Sequence, residues 1–496
     1  MGDEVDATVV VKRAQDAFRA GKTRPVARRR KLLQDILRMI NEKEQDFIDA
    51  MHKDLKKPAF ESVVSEIEFS KNEVINALNH LDDWAKPQMV EKGIHMTGVP
   101  AYIQYQPFGT VLIIGAWNYP FQLTIHPLIG AIAAGNTVII KPSEVAAEYA
   151  KTLARIVPQD LDQDSVQVVN GGVGITTALL KEKFDYILYT GSANIGRIVM
   201  EAAAKHLTPV GLELGGKSPC YVDEDVDMKV VANRLVWAKM MNSGQTCIAP
   251  DYVICKPSLN DKLLSEISRV IKQFYGEDPK KSPDYARIIN ERHYQRVMKL
   301  AQSGKVAIGG DGDASECYIA PTVLIDVKED EPAMQEEIFG PVLPIFNVDS
   351  VDSAIDLINR KPKPLTMYIM SNSKKVIKRF SEETSSGSFV ANDFMMQAAC
   401  DTLPFGGVGQ SGMGAYHGHF SFEMFSHKRA CVLAKMGMEK LLSMRYPPYT
   451  ERNLGIMRWV LRKSLKGGYL RSLFSLALVG IIAGLLFMFV DGRFSQ

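Results

Sequence analysis

Three short segments carry the side chains able to do covalent chemistry. Asn242–Pro250 (NSGQTCIAP) sets Cys247 in a loop of small, turn-forming residues, where a substrate can approach the sulfur closely. A thiolate is intrinsically nucleophilic, so such a cysteine can attack an electrophilic carbon. Gly211–Pro219 (GLELGGKSP) places Glu213 between apolar neighbours and ahead of two glycines. A carboxylate buried there has a raised pKa and can take a proton from water. Glu336–Pro341 (EEIFGP) adds an acidic and an aromatic side chain before a turn. Taken singly these signals are weak, because a lone cysteine is more often a small buried hydrophobe than a nucleophile.

The elements that must position these residues read as alternating strands and helices. Arg28–Ile40 and Glu66–Trp84 have apolar residues at three- and four-residue spacing with charges between, which predicts amphipathic helices. From Tyr105 the pattern changes to short apolar runs closed by Gly or Pro. Gly109–Pro120, Asn136–Glu144, Val166–Gly172 and Phe184–Ser192 predict buried strands, with helices over Leu123–Ala134 and Ile195–His206. Near-continuous apolar strands alternating with helices indicate a parallel, doubly wound α/β sheet. A second α/β unit is expected from about Gly211 to Phe394, with strands at Thr322–Val327 and Val342–Val348. Asp401–Gly414, rich in glycine, is expected to be loop. No well-placed G-x-G-x-x-G occurs, and Gly171–Gly174 reads as a turn.

At 496 residues the chain calls for more than one core. Its net charge of +2 hides an asymmetry: residues 440–496 hold nine Lys/Arg and two Asp/Glu, against fifty basic and fifty-five acidic residues elsewhere. A mildly acidic body argues against a nucleic-acid partner, whereas a basic tail suits an anionic membrane surface. Ser472–Val490 is uncharged and mostly apolar for nineteen residues, close to the ~20 that span a bilayer. Before it, Asn453–Lys466 predicts a basic interfacial helix with Leu454, Met457, Leu461 and Leu465 on one face. The charge bias would keep the body cytosolic. The N-terminus has neither a secretory signal nor a myristoylation motif. The six scattered cysteines suggest no disulfide framework and no zinc site. His126, His417 and His419 lack a companion cluster of ligands, so no metal is expected, and Cys220, Cys255, Cys317, Cys400 and Cys431 read as packing residues. Phe394, Met395 and Met396 are candidates for a substrate tunnel or for ordinary core.

GAWNYP, KPSE, TGSANIG, LELGGKSP, GQTCIAP, EEIFGP and PFGGVGQSGMG follow one another between about Arg13 and Cys431. In that order and spacing they resemble the aldehyde dehydrogenase superfamily. Gly244–Tyr252 and Ser411–Arg429 point to its class 3 branch, and the apolar tail to the membrane-bound fatty aldehyde dehydrogenases within it. The resemblance implies an aldehyde dehydrogenase fold: a Rossmann-like cofactor domain (1–80 and 105–210) and an α/β catalytic domain (211–395). It further implies bridging and oligomerisation segments (81–104 and 396–440), a basic amphipathic segment (441–468) and a C-terminal membrane helix (470–490). Cys247 would be the nucleophile, Glu213 the hydrolytic base, and Asn118 with the Cys247 amide the oxyanion donors. Gly191, Ser192 and Gly196 would face the pyrophosphate of NAD, Lys141 and Glu144 the adenosine ribose, and Glu337 and Phe339 the nicotinamide end. Glu144 should favour NAD, with NADP tolerated. The implied substrate is a medium- to long-chain aliphatic aldehyde; aromatic or short aldehydes, or an inactive scaffold, are the alternatives. A homodimer on the endoplasmic reticulum is the expected setting.

Overall fold

In the strand Thr110–Ile114 (β1) every residue is apolar or a buried threonine, and successive side chains point to opposite faces. Val111 and Ile113 therefore enter one core and Leu112 and Ile114 another. The first core is roofed by helices Val26–Glu42, Glu44–Leu55, Glu68–Ala85 and Gln122–Ala134. The second is closed by Ala7–Arg19 and Ala193–Ala204. A sheet buried on both faces needs this unbroken apolar pattern.

The computed structural model describes residues 6–437 and 439–463. Its first sheet adds Thr137–Lys141 (β2), Val166–Val168 (β3), Tyr186–Thr190 (β4) and Val210–Glu213 (β5), in the order β5-β4-β1-β2-β3, all parallel. The order reverses between β1 and β4, and open α/β sheets bind ligands outside the strand carboxyl ends at such a switch. The sequence expectation placed the second α/β unit from Gly211; instead β5 belongs to the first sheet, pairing Thr190 with Glu213. The break comes at the following Gly215–Gly216. The glycine-rich stretch expected to be all loop also contributes an edge strand, Gly412–Met413, antiparallel to β5 with Gly412 opposite Glu213.

The second sheet contains Pro219–Val222 (β6), Tyr252–Cys255 (β7), Lys305–Ile308 (β8), Thr322–Ile325 (β9), Val342–Asn347 (β10), Thr366–Met370 (β11) and Ser388–Ala391 (β12). Its order is β8-β9-β10-β7-β6-β11-β12, with only β8 antiparallel. Alternation again feeds two cores: Cys220 and Val253 face helices Met228–Met240 and Asn260–Tyr275, while Tyr221 and Ile254 face the opposite side.

Both sheets lie in one compact unit, residues 1–87 and 104–429; the second unit combines 88–103 with the chain from Ala430. In that smaller unit Gln88–Met89 pairs antiparallel with Tyr102 and Ile103, and the Leu433 amide donates to the Pro100 carbonyl. The basic segment forms helix Glu451–Leu461, capped by the Thr450 side chain. This helix is shorter than the predicted Asn453–Lys466, because Arg462 is already extended. Leu454, Trp459 and Leu461 stand 43, 50 and 53% exposed on it. Among the described residues no helix is long and apolar enough to cross a membrane. Leu465, Lys466 and the apolar 470–490 segment lie outside the described residues.

Candidate active site

Above the carboxyl ends of β1, β4 and β5 opens a cavity of about 780 Å³. Asn118, Gly191, Ser192, Glu213, Cys247, Glu337 and Phe339 all line it. Sequence separations of up to about two hundred residues are thus closed in one volume.

Each motif reaches the cavity for a local reason. Glu213 is the last residue of β5; its carbonyl accepts from the Gly191 amide (2.9 Å), and the next amide, Leu214, donates to Ser411 (3.0 Å). The glutamate is thereby held between the β4–helix turn and the edge strand. Its side chain is buried, Oε2 has no hydrogen-bond partner, and desolvation pushes its pKa well above the usual carboxylate range. Cys247 follows a tight left-handed turn, with Asn242, Ser243 and Gly244 at φ of 51°, 55° and 75°. A Cβ on Gly244 would stand 2.3 Å from the Gly340 carbonyl, so only glycine lets the cysteine loop pass this close to the EEIFGP segment.

The loop is pinned from three sides. Asn118 Nδ2 donates to the Gln245 carbonyl (3.0 Å), the Tyr119 and Thr246 hydroxyls share a hydrogen bond (2.7 Å), and the Tyr368 hydroxyl donates to the Ile248 carbonyl (2.6 Å). Burial pushes the Cys247 thiol pKa up, and the nearby Glu337 and Glu213 carboxylates push the same way; the Cys247 and Ile248 amides facing the sulfur oppose them.

A single ion pair knits the three motifs together. Lys217 Nζ, in LELGGKSP, meets Asp251 Oδ2 at 2.5 Å and donates to the Ala333 and Glu336 carbonyls (2.7 and 2.9 Å). Asp251, just past the cysteine loop, accepts from the Ile338 amide (3.1 Å). Arg296 fixes the same strip by donating to the Glu337 and Ile338 carbonyls (3.2 and 2.6 Å). Burial raises the Glu337 pKa to about 8, with Asp251 adding to it. Phe339 meets Trp117 edge-on at 5.3 Å, and Trp117 in turn packs on His293.

The cofactor half fits a dinucleotide. Helix Ala193–Ala204 opens into the cavity at Ser192, and no side chain caps its first amides, which leaves donors for an anionic group. Gly196 does not line the cavity: it packs on Leu214, where a Cβ would come within 2.8 Å of Cδ2. Lys141 and Glu144 also lie outside that lining, at the end of β2, and pair with each other at 2.9 Å. Burial raises the Glu144 pKa, but the Lys141 hydrogen bond and charge outweigh it and hold it below normal.

Sequence reasoning missed several residues here. Trp117, Trp237, His293, Arg296, Phe405 and Tyr416 all line the cavity. Trp117, Phe405 and Tyr416 sit within segments already singled out (GAWNYP, PFGGVGQSGMG and Ser411–Arg429), whereas Trp237, His293 and Arg296 lie outside them. Of the tunnel candidates, Met395 and Met396 line the cavity, whereas Phe394 is fully buried against Tyr368 at 4.7 Å. His126 and His417 are buried side by side, ring centroids 5.2 Å apart.

A parallel sheet is joined to a second sheet, in which the loop before β7 presents a cysteine, and a glutamate and an asparagine share the cavity, an arrangement capable of covalent thiol chemistry. The chain belongs to the aldehyde dehydrogenase family, which it matches over residues 1–431. It is 53% identical to the mouse aldehyde dehydrogenase named "dimeric NADP-preferring", covering 88% of this chain and 97% of that one. It is 50% identical to aldehyde dehydrogenase family 3 member A2 of Pongo abelii, over 96% of this chain and 98% of the relative. A substrate-bound Staphylococcus aureus AldH superposes with a TM-score of 0.89 at 39% identity, covering 91% of this chain and 99% of that structure. The protein is an NAD(P)-dependent aldehyde dehydrogenase of class 3.

Proposed function

We propose that the protein oxidises medium- to long-chain aliphatic aldehydes to fatty acids while anchored to a membrane by its C-terminal segment. The observation that carries the chemistry is the meeting of Cys247, Asn118 and Glu213 in one cavity with the open helix end at Ser192. Cys247 gives up its S–H proton to solvent, the resulting thiolate bonds to the aldehyde carbon, and the carbonyl π pair moves onto the oxygen as the thiohemiacetal oxyanion forms. The Asn118 side-chain amide and the Cys247 N–H stabilise that oxyanion. NAD(P)⁺, when bound, supplies the two-electron acceptor that turns this adduct into a thioester. Gly191, Ser192, Glu337 and Phe339 would hold the cofactor, and Lys141 and Glu144 would meet its adenosine ribose. Ionised Glu213 takes a proton from water, whose oxygen bonds to the thioester carbon; the C–S bond breaks, the carboxylic acid is released and the proton held on Glu213 returns to the departing thiolate. A hydrolytic base of this kind disfavours transfer of the acyl group to a thiol acceptor.

Two features support the long-chain assignment. Apolar Val64, Phe69, Leu123, Met241, Met395 and Met396 line the cavity, and the apolar run 472–490 with its preceding cations suits a bilayer. An enzyme at a membrane meets aldehydes that partition there, each CH₂ adding about 0.8 kcal/mol. The endoplasmic reticulum is the proposed site, with the catalytic body cytosolic. A homodimer and tolerance of NADP accord with the name of the mouse relative. Trp237, Phe405 and Tyr416 in the same cavity favour a second reading, aromatic or short aldehydes with the tail acting only as an address.

NADH formation by detergent-solubilised full-length protein separates these readings. A much larger kcat/KM for hexadecanal than for benzaldehyde, abolished by Cys247→Ala, is expected. Preference for benzaldehyde would transfer the assignment to the second reading. Absence of turnover with either would leave an inactive scaffold.

A further inference from the structure

The loop that carries Asn118 is gripped by a buried ion pair from the N-terminal helices, more than fifty residues away in sequence. Lys57 follows helix Glu44–Leu55, whose C-cap Lys56 turns left-handed at φ 51°. Glu66 lies in Val63–Ile67, a π turn between the short helix Ala59–Ser62 and Glu68–Ala85. Such a turn, with hydrogen bonds one residue longer than in an α-helix, is frequent at functional sites. Here it coincides with an active-site wall, since Val64 and Ser65 line the cavity.

Lys57 and Glu66 are both 0% exposed, and Nζ lies 2.5 Å from Oε1. Among the described residues, the other hydrogen bonds of these two side chains run to one loop. Lys57 Nζ donates to the Asn118 carbonyl (3.0 Å) and stands 4.1 Å from the centroid of the Tyr119 ring. Glu66 Oε2 accepts from the amides of Phe121 (2.9 Å) and Gln122 (3.2 Å). The Asn118 carbonyl takes a second bond from Asn242 Nδ2 (2.8 Å), and the Asn242 amide donates to Glu61 Oε2 (2.9 Å). Residues 118–122 are therefore held at three backbone points by one pair, which leaves the Asn118 side chain little freedom of direction.

A buried ion pair is weak evidence for stability, since desolvation consumes much of its attraction and apolar replacements are often as stable. What this pair does contribute is direction: its other side-chain bonds end on the backbone of Asn118 itself and of Phe121 and Gln122 just beyond it. An oxyanion donor acts only when preorganised at the right distance. We propose that Lys57 and Glu66 are positioning residues that aim the Asn118 amide at the oxyanion. This inference rests on the assignment of Asn118 as an oxyanion donor.

The test is a mutant cycle on full-length enzyme with two readouts. One is the rate of the NADH burst; the other is hydrolysis of p-nitrophenyl acetate, which forms a tetrahedral oxyanion on Cys247 without any redox step. Lys57→Met/Glu66→Leu removes the pair without orphaning a charge. It should slow both reactions by roughly ten- to a hundredfold while leaving the Kd for NAD unchanged; Asn118→Ala should slow them by roughly 10²–10³-fold. The decisive variant combines all three changes and should be no slower than Asn118→Ala alone. Multiplying losses would overturn the inference, because the pair would then act independently of Asn118. If Asn118→Ala loses nothing, the oxyanion assignment itself fails and the inference falls with it. Should the double variant not fold, Lys57→Arg, which keeps the charge but changes the reach, takes its place in the cycle with the same criteria.

Discussion

At the scale of single residues, the cavity opposes the resting ionisation that its chemistry requires. Cys247 and Glu213 are both desolvated, and burial raises the cost of carrying charge on each. Glu213 is consequently protonated in the resting site at pH values where an exposed carboxyl has ionised, and only its ionised form can accept a proton from water. Hydrolysis of the thioester should therefore rise with pH through the raised Glu213 pKa and then level off. Glu213→Gln should retain a burst of NADH from thioester formation but turn over roughly 10²–10⁴-fold more slowly, with no such pH rise. Stopped-flow absorbance followed into steady state, across pH, checks both parts; a lost burst with hydrolysis intact would reverse the assignment. Lys141 and Glu144 give the opposite electrostatic case. Despite its partial burial, Glu144, just beyond the end of β2, is favoured in its ionised form by the Lys141 hydrogen bond and charge.

At the scale of elements, short segments are placed by buried carboxylates. Helix Gly418–Met424 starts on Glu73, whose two carboxylate oxygens accept from the Gly418 amide at 2.8 and 3.1 Å while Ser421 Oγ adds a bond at 3.4 Å. Burial raises the Glu73 pKa to about 7, and Asp401 adds to it. A folded pKa above the unfolded value means stability that is complete below about 4.5 and is lost as pH rises toward 7. Glu73→Gln keeps an acceptor for Gly418 but cannot ionise. Its stability relative to the parent should therefore improve between pH 5 and pH 8, by up to about 3 kcal/mol from the shift. Denaturant unfolding at the two pH values measures this, and a difference independent of pH would show that Glu73 does not titrate on unfolding.

At the scale of the whole molecule, the acidic body and basic, apolar C-terminal region suggest that catalysis and address are separable. Leu454, Trp459 and Leu461 are exposed on helix Glu451–Leu461, so this helix buries none of them in a core. Deleting residues 453–496 should leave Cys247 chemistry intact but raise KM for hexadecanal in the presence of lipid vesicles far more than KM for hexanal. Equal changes for the two aldehydes would reduce the tail to an address and favour the shorter substrates.

The sequence by itself determined the parallel sheets, because a strand buried on both faces must be apolar at every position, and that signal is local. The reacting residues were legible only through the ordered set of motifs, since a cysteine among small residues and a glutamate among apolar ones are weak signals taken singly. Only the tertiary structure decided how these parts meet. Gly412 pairs with Glu213, Lys217 and Asp251 bind EEIFGP to the cysteine loop, and Lys57 and Glu66 clamp the Asn118 loop. It also turned Phe394 into core and Gly196 into a helix-packing contact. Each of these partners is chosen by burial and by the need to satisfy buried polar groups across long stretches of chain. Neither requirement leaves a periodic mark on the sequence.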